Sequence, residues 1–204
     1  MSKRLTAIRF DVTAARQELK DFKQLLDSKQ WLSEKLDIQP FFYPRTNLCA
    51  CIGFYNTYLP VPDMVVDELV FQGDFRCDLA VGRTTNKHRC FVELEDATEF
   101  SIFEKSPRAY RPFSARYEHG VSQIIDWCYK IDDMRSTIDC ENIIGCREPD
   151  YVGVLVMGRS QTLSASERDR FNWRGRGLSV RGHSIFTITF DDLYDHINER
   201  LNLA

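Results

Sequence analysis

The sequence predicts a single α/β domain over 1–204, with a mixed central sheet flanked by helices. Apolar residues recur at helical spacing near both ends of the chain and again after residue 115. Three strand-like segments follow one another between residues 67 and 95, and the continuous apolar segment 151–158 is typical of a strand buried on both faces. No repeat or interdomain linker divides the chain, and about 1–40 is expected to form a helical lead-in.

The first third of the chain is predicted to contain two helices and a long connection. A helix over 12–29 places apolar residues on one stripe, and a shorter helix at 30–37 follows before Pro40 interrupts the pattern. Segment 41–66 is apolar and aromatic with two nearby prolines, so we expect an irregular connection with at most a short strand at 48–54. The stripe of the first helix consists of Ala15, Leu19, Phe22 and Leu26.

Three strands are predicted next, at 67–72, 75–82 and 89–95. The turn-like segment 83–87 joins the last two of them as a hairpin. A helix over 116–132 follows, because its apolar residues recur at i, i+3 and i+4 spacing.

The last third of the chain continues the alternation of strands and helices after the buried strand. Ser164 and Glu167 have the spacing of a capping box that opens a short helix. Another strand is predicted at 184–190, and Asp191 is expected to cap the last helix.

Composition and cysteine spacing argue against a membrane-spanning, a secreted or a zinc-binding protein. The chain is 43% hydrophobic and 28% charged, as in ordinary globular proteins, and no apolar run is long enough to span a membrane. The N-terminus lacks an apolar signal core, so we expect a cytoplasmic protein without membrane contact. Seven cysteines without a CxxC pair favour reduced, mostly buried thiols over zinc ligands.

The net charge of −3 does not indicate nucleic-acid binding, but the basic residues are unevenly distributed. Segment 105–116 contains four basic residues and no acid, and 159–183 contains six arginines against two acids. Two cationic patches on an acidic body can bind a polyanion, although solvated surfaces would have the same composition. Arg159, at a strand end, has a surface salt bridge as its alternative role. The predicted phosphate contacts are Lys105, Arg108, Arg111, Arg116 and Arg159.

The stretch CFVELEDA places Glu93 and Glu95 on one face of a predicted strand. If this strand and the preceding one form a symmetric hairpin, Asp78 lies opposite Glu93 and three carboxylates share a face. That face is expected to be the open or functional one, because the other face is apolar. Solvent-facing carboxylates, or pairing with Arg76 or Arg89, are the alternatives. The apolar face would carry Cys77, Leu79, Val81, Cys90, Val92 and Leu94.

Three clustered carboxylates offer the hard oxygen ligands that Mg²⁺ prefers, together with a main-chain carbonyl, water or a substrate phosphate. A metal ion held there would lower the pKa of its bound water and offset charge developing on a phosphate. We therefore expect Mg²⁺ or Mn²⁺ as the cofactor.

These residues, with a helix carrying a polar residue after them, resemble the PD-(D/E)XK nuclease core and, more narrowly, the Shedu anti-phage defence family. The resemblance covers about 30–200. It implies a restriction-endonuclease-like core, metal-dependent cleavage of DNA in bacterial defence, a homo-oligomer and a regulatory protein partner. The stretches that carry it, in order, are GDFRCDLAVG, FVELEDATEFSIF, YEHGVSQIIDW, YVGVLVMGR and TFDDL.

The resemblance also implies roles for individual residues. Asp78 and Glu93 would be the metal ligands, together with the main-chain carbonyl of Leu94. Gln123, on the following helix, would point back to the site. The implied catalytic set is Asp78, Glu93, Glu95 and Gln123.

The sequence departs from the family pattern at Glu95, where the usual motif ends in lysine. A glutamate can act as a general base or recruit a second metal ion, but it supplies no positive charge. The cation would then come from Lys105, Arg108 or Arg116. The alternative is a catalytically silent nuclease fold that binds nucleic-acid ends or a protein partner.

Overall fold

The computed structural model describes residues 3–73, 75–108 and 110–203. Its strands are Thr6–Ala7 (β1), Met64–Gln72 (β2), Phe75–Gly82 (β3), His88–Leu94 (β4), Asp150–Val156 (β5), Ser179–Val180 (β6) and His183–Ile188 (β7). They form one mixed sheet in the order β1-β2-β3-β4-β5-β7-β6. The neighbours from β1 to β4 are antiparallel, whereas β4, β5 and β7 run parallel.

Helices cover both faces of this sheet. They are Val12–Ser28 (α1), Gln39–Phe42 (α2), Thr46–Ile52 (α3), Ala115–Met134 (α4), Ile138–Ile144 (α5), Ala165–Gly177 (α6) and Phe190–Leu203 (α7). One apolar core lies between the sheet and α1, α3 and α7, and a second lies between the sheet and α4, α5 and α6. The predicted α/β architecture, a mixed sheet flanked by helices, is confirmed.

The central strand β5 is buried on both faces, as its continuous apolar sequence predicts. Val154 and Val156 join the core beneath α1, α3 and α7, whereas Leu155 joins the core beneath α4. Gly120 lets α4 approach β5 closely, because a Cβ atom at this position would lie 2.8 Å from Leu155 Cδ1. The N-terminal half of α4 is therefore held firmly against the sheet.

The segment between α1 and β2 differs most from the expectation. The short strand predicted at 48–54 is wrong: the structure has α3 there, followed by a 3₁₀ turn at Gly53–Tyr55, and the last five residues of α3 are all buried. A fully apolar run has no periodicity that separates a helix from a strand. The helix predicted at 30–37 is instead a π-helical turn at Glu34–Ile38 that continues into α2.

In the last third of the chain, one of the two predicted helix caps is present and the other is not. The capping box of Ser164 and Glu167 opens α6. The expectation that Asp191 caps α7 is wrong. The Thr189 hydroxyl instead accepts the main-chain N–H of Asp192 (3.1 Å), whose carboxylate accepts the Thr189 N–H (3.2 Å). Helix α5 was not predicted.

Two further expectations concern membrane-spanning helices and the cysteine thiols. Among the described helices, none combines the length and the apolar character needed to cross a bilayer. All seven cysteines are free thiols, and all except Cys146 are buried, as predicted. Burial raises the pKa of all seven, first of all by desolvation of the thiolate.

Candidate active site

The hairpin of β3 and β4 has the register that the sequence predicts. Leu79 pairs with Val92, so Asp78 and Glu93 come next along the two strands. The main-chain N–H of Leu94 donates a hydrogen bond to Asp78 Oδ2 (2.8 Å). The carboxylate of β3 is therefore fixed directly to the backbone of β4.

The acidic face of the hairpin is not open to solvent, so of the two expected properties, open or functional, only the second is left as a prediction. Ala80 and Phe91 on this face pack in the core beneath α4. The acids themselves lie at one end of that face, where Asp78, Glu93 and Glu95 are only 7%, 8% and 5% exposed. They line a cavity of about 520 Å³. The site is therefore a recess beside α4, with its carboxylates largely removed from water.

One residue of the predicted apolar face, Cys77, also lies on the α4 side of the sheet rather than with Leu79. On the neighbouring strand β2, Glu68 has a φ of 49°, between residues that pair with Leu79 and Cys77. A left-handed residue interrupts the two-residue alternation of a strand. In both β2 and β3, the side of the sheet to which alternate residues point therefore switches at the level of Asp78. A strict two-residue alternation could not predict this switch.

The segment before α3 contributes three polar residues that the sequence analysis missed. Gln39 donates hydrogen bonds to Asp78 Oδ1 and Glu34 Oε1 (both 3.1 Å), and the Tyr43 hydroxyl donates to Asp78 Oδ1 (3.2 Å). Glu34 belongs to the π-helical turn, a feature common at functional sites. Gln39 and Tyr43 have the i, i+4 spacing of one helix face, the signal that could have grouped them.

A stripe of α4 forms the other wall of the cavity, with Arg116, His119 and Gln123 at successive turns. Arg116 Nη1 lies 2.6 Å from Glu95 Oε2, and its Nη2 lies 3.2 Å from Asp96 Oδ2. The structure thus brings together the predicted residues Asp78, Glu93, Glu95, Arg116 and Gln123.

Neither Arg76 nor Arg89, the partners considered from the sequence, pairs with these acids: Arg76 binds Glu68, and Arg89 binds main-chain carbonyls.

The crowding of acids shifts their pKa values upward. Burial, followed by the negative charges of Asp78, Glu95 and Glu34, raises the pKa of Glu93 far above its usual range, and an interaction with Gln123 opposes this only weakly. Burial also raises the pKa of Asp78, although the hydrogen bonds from Leu94 and Tyr43 lower it. The pKa of Glu34 rises for the same reason, first by burial and then by repulsion. The cavity therefore favours a proton or a cation.

The donor set meets part of the requirement for a metal ion. Within the described ranges, no group of three or more His, Cys, Asp or Glu side chains is arranged to enclose one. A smaller set of oxygen ligands is available. Glu93 Oε2 is buried and has no hydrogen-bond partner among the described residues. In an extended residue the N–H and C=O point to the same side, so the carbonyl of Leu94 lies on the side of Asp78. Two carboxylates and a carbonyl fit Mg²⁺, which keeps several waters.

The other predicted cations are distributed around the site rather than within it. Lys105 and Arg108 are exposed on the loop before α4. Arg111 binds Glu167 (2.5 Å). Arg159 is 5% exposed in its side chain and binds Asp191 (3.0 Å) and a main-chain carbonyl. These contacts match the salt-bridge alternative, and they occupy most of the donors that a phosphate would need.

The fold and the recess together define a class: a mixed α/β protein with buried carboxylates from two adjacent central strands, facing an arginine and a glutamine from one helix. The sequence model described as Shedu protein SduA, C-terminal, matches residues 15–194. The chain therefore belongs to this Shedu family, as its resemblance implied, and the family is one of anti-phage defence. A comparison with curated proteins gave no match.

Proposed function

We propose that this protein is a metal-dependent DNA endonuclease of anti-phage defence, built on a PD-(D/E)XK-like core. The convergence of Asp78 and Glu93 in a buried recess, with an unpartnered oxygen on Glu93, carries the proposal. Buried carboxylates with strongly raised pKa values are typical of sites that bind a cation or transfer protons. Family membership supports the biological setting.

In this proposal Asp78, Glu93 and the Leu94 carbonyl hold Mg²⁺ or Mn²⁺. Bound there, the metal would supply Lewis-acid stabilisation of the phosphate and a water molecule of lowered pKa. Gln39 and Tyr43 keep Asp78 oriented through their hydrogen bonds to its Oδ1 atom. Such support of a ligand maintains both its geometry and its affinity.

Glu95 and Arg116 take the place of the missing lysine in the proposed mechanism. Glu95 holds the Arg116 guanidinium at the entrance of the recess, where it can offset charge that develops on a phosphate. The exposed cations Lys105 and Arg108 are proposed to hold DNA phosphates on the loop that precedes α4.

The test is cleavage of linear and plasmid DNA in the presence of Mg²⁺ or Mn²⁺. Wild type is expected to cleave, whereas Asp78→Asn and Glu93→Gln are expected to be inactive, because each removes a charged ligand with little change in shape. Asp133→Asn, an exposed acid on α4, is the matched control and is expected to retain activity. Absence of cleavage by wild type, or equal cleavage by the three variants, would contradict the proposal.

The second candidate is a catalytically silent module that binds nucleic-acid ends or a protein partner. It is favoured by the neutralisation of Glu95 by Arg116 and by the engagement of both Asp78 oxygens with protein donors. Calorimetric titration with Mn²⁺ separates the two candidates. Binding that is abolished by Glu93→Gln supports the nuclease, and DNA binding without any metal binding supports the silent module.

A further inference from the structure

A second surface, separate from the acidic recess, combines exposed aromatic rings with arginines. Trp173 on α6 is 82% exposed, and Tyr110 on the loop before α4 is 66% exposed. Together with Phe113, Arg170 and Arg174 they line a cavity of about 370 Å³. We call these five residues the aromatic platform. Large apolar rings at such exposure indicate a binding surface rather than a core.

The platform is held rigidly from below. Phe103, Phe113 and Tyr117 form a stack with centroid distances of 4.7 and 4.5 Å. Arg170 lies 3.5 Å above the Tyr110 ring, and its Nη1 donates to the carbonyl of Arg111 (2.8 Å). The guanidinium plane is thus fixed on the tyrosine by cation–π attraction and a hydrogen bond.

Trp173 differs from the rest of the platform because its ring makes no aromatic stack with any described residue. Trp173 also lines a second cavity of about 560 Å³, together with Arg176. An indole ring that is 82% exposed, beside the half-buried guanidinium of Arg170 and the exposed Arg176, matches the pattern that binds single-stranded nucleic acid, in which rings stack on bases and arginines neutralise phosphates.

The charge of the surface agrees with this ligand. Helix α6 carries four arginines against two acids. Glu167 is paired with Arg111 and Arg174 with Glu118, whereas Asp169 lines both cavities. Arg170 and the exposed Arg176 are therefore the cations of α6 proposed to face a phosphate. The exposed cations Lys105 and Arg108 lie on the adjoining loop. A paired duplex conceals the faces of its bases within the stack, so that only an unpaired base can stack on Trp173.

We propose that the aromatic platform binds an unpaired base of single-stranded DNA, next to the acidic recess. Phe113 of the platform and Arg116 of the recess are three residues apart at the start of α4, so one strand can reach both. The choice of DNA rests on the proposed function, whereas the stacking itself rests on the geometry of Trp173, Tyr110 and Arg170.

The test measures binding of fluorescently labelled 12-nucleotide oligothymidylate, the matching duplex and oligouridylate, all in excess chelator so that no cleavage occurs. Trp173→Ala is expected to weaken oligothymidylate binding roughly 5- to 100-fold, the effect of losing one base–aromatic stack. Trp173→Phe is expected to keep most of the affinity, and oligothymidylate should quench the tryptophan fluorescence of wild type but not of Trp173→Phe. Tyr129→Ala, at an exposed tyrosine on α4, is the control and is expected to bind like wild type.

Each contrary outcome overturns the proposal. Unchanged binding by Trp173→Ala excludes stacking, and equal loss on the duplex indicates backbone contacts instead. Stronger binding of oligouridylate than of oligothymidylate contradicts the choice of DNA. A change in molecular mass of Trp173→Ala by light scattering, with unchanged DNA binding, identifies a protein interface. Because no metal is present, loss of the proposed nuclease activity would leave this measurement intact.

Discussion

Arg116 Nη1 lies 2.6 Å from Glu95 Oε2, so a cation from α4 is bound to the acid that directly follows β4. The same guanidinium reaches Asp96 (3.2 Å) and Glu34 (3.6 Å). One cation therefore faces three acids at the entrance of the recess. In the proposed mechanism, the charge that a lysine would supply comes from Arg116, which Glu95 holds in place.

Replacement of Arg116 is predicted to impair cleavage beyond its effect on folding. Arg116→Ala should lower the single-turnover rate per folded molecule on the order of 100-fold, as for loss of one donor that stabilises developing charge, and Arg116→Lys should retain part of the activity. The alanine variant should also melt at a lower temperature, because it leaves the buried Glu95 without its cation, so the rates are compared well below both melting transitions. Arg135→Ala, which removes a similarly exposed ion-paired arginine just after α4, is the control. Equal rates for Arg116→Ala and wild type would exclude this role.

The raised pKa of Glu93 predicts an unusual dependence of stability on pH. In the metal-free protein, Glu93 keeps its proton at pH values where the unfolded chain has lost it. Stability from this group is therefore full below the ordinary pKa of a glutamate and falls as pH rises towards the raised pKa. Glu93→Gln should flatten this fall and stabilise the metal-free protein at pH 8 by at least about 1 kcal/mol.

Thermal melts from pH 5 to pH 9, with and without Mg²⁺, check this prediction. Mg²⁺ should raise the melting temperature of wild type more at pH 8 than at pH 5, because binding requires the ionised carboxylate. Glu93→Gln should show no such gain. Asp133→Asn serves as the exposed control. Parallel pH profiles for wild type and Glu93→Gln would show that Glu93 ionises normally.

Sequence patterns predicted the structure correctly in segments where one hydrophobic pattern dominates. A symmetric hairpin predicted the observed register, which places Asp78 and Glu93 next to each other beyond the Leu79–Val92 pair, and the apolar run 151–158 predicted a strand buried on both faces. Gln123 followed from the family resemblance, and it lies at the cavity. These features depend on local patterns that a single chain segment displays.

The features that sequence reasoning missed depend on contacts between distant segments. Glu34, Gln39 and Tyr43 lie in a segment whose hydrophobic pattern does not show a π-helical turn, and nothing local connects them with a strand some 40 residues later. The exposure of Trp173 depends on how α6 packs, which no local pattern shows. The burial of the acids is also a tertiary effect, since α4 covers a face that the hairpin alone would leave open.

Tyr43 is predicted to support Asp78 without contacting the substrate. Tyr43→Phe removes the hydrogen bond to Asp78 Oδ1 and should cost about 1 kcal/mol of stability. It should weaken Mn²⁺ binding roughly 10-fold, as for other residues that orient a ligand. Calorimetry and melts measure both quantities, and Tyr129→Phe at an exposed position is the control. A stability loss with unchanged Mn²⁺ affinity would assign Tyr43 a purely structural role.

Arg89 is predicted to stabilise the end of the sheet opposite the recess. Its guanidinium is buried and donates to the carbonyls of Ile144, Asn86 and His88 at 2.9, 3.0 and 2.8 Å, and burial lowers its pKa. Arg89→Met would fill a similar volume but leave these acceptors unpaired, which should cost about 2–4 kcal/mol of stability.

Denaturant unfolding measures the loss, and Lys87→Met at an exposed neighbouring position should be neutral. Cleavage per folded molecule should be unchanged, because Arg89 lies four residues before Glu93 on β4 and does not line the recess. An unchanged unfolding free energy would mean that water replaces the guanidinium at these carbonyls.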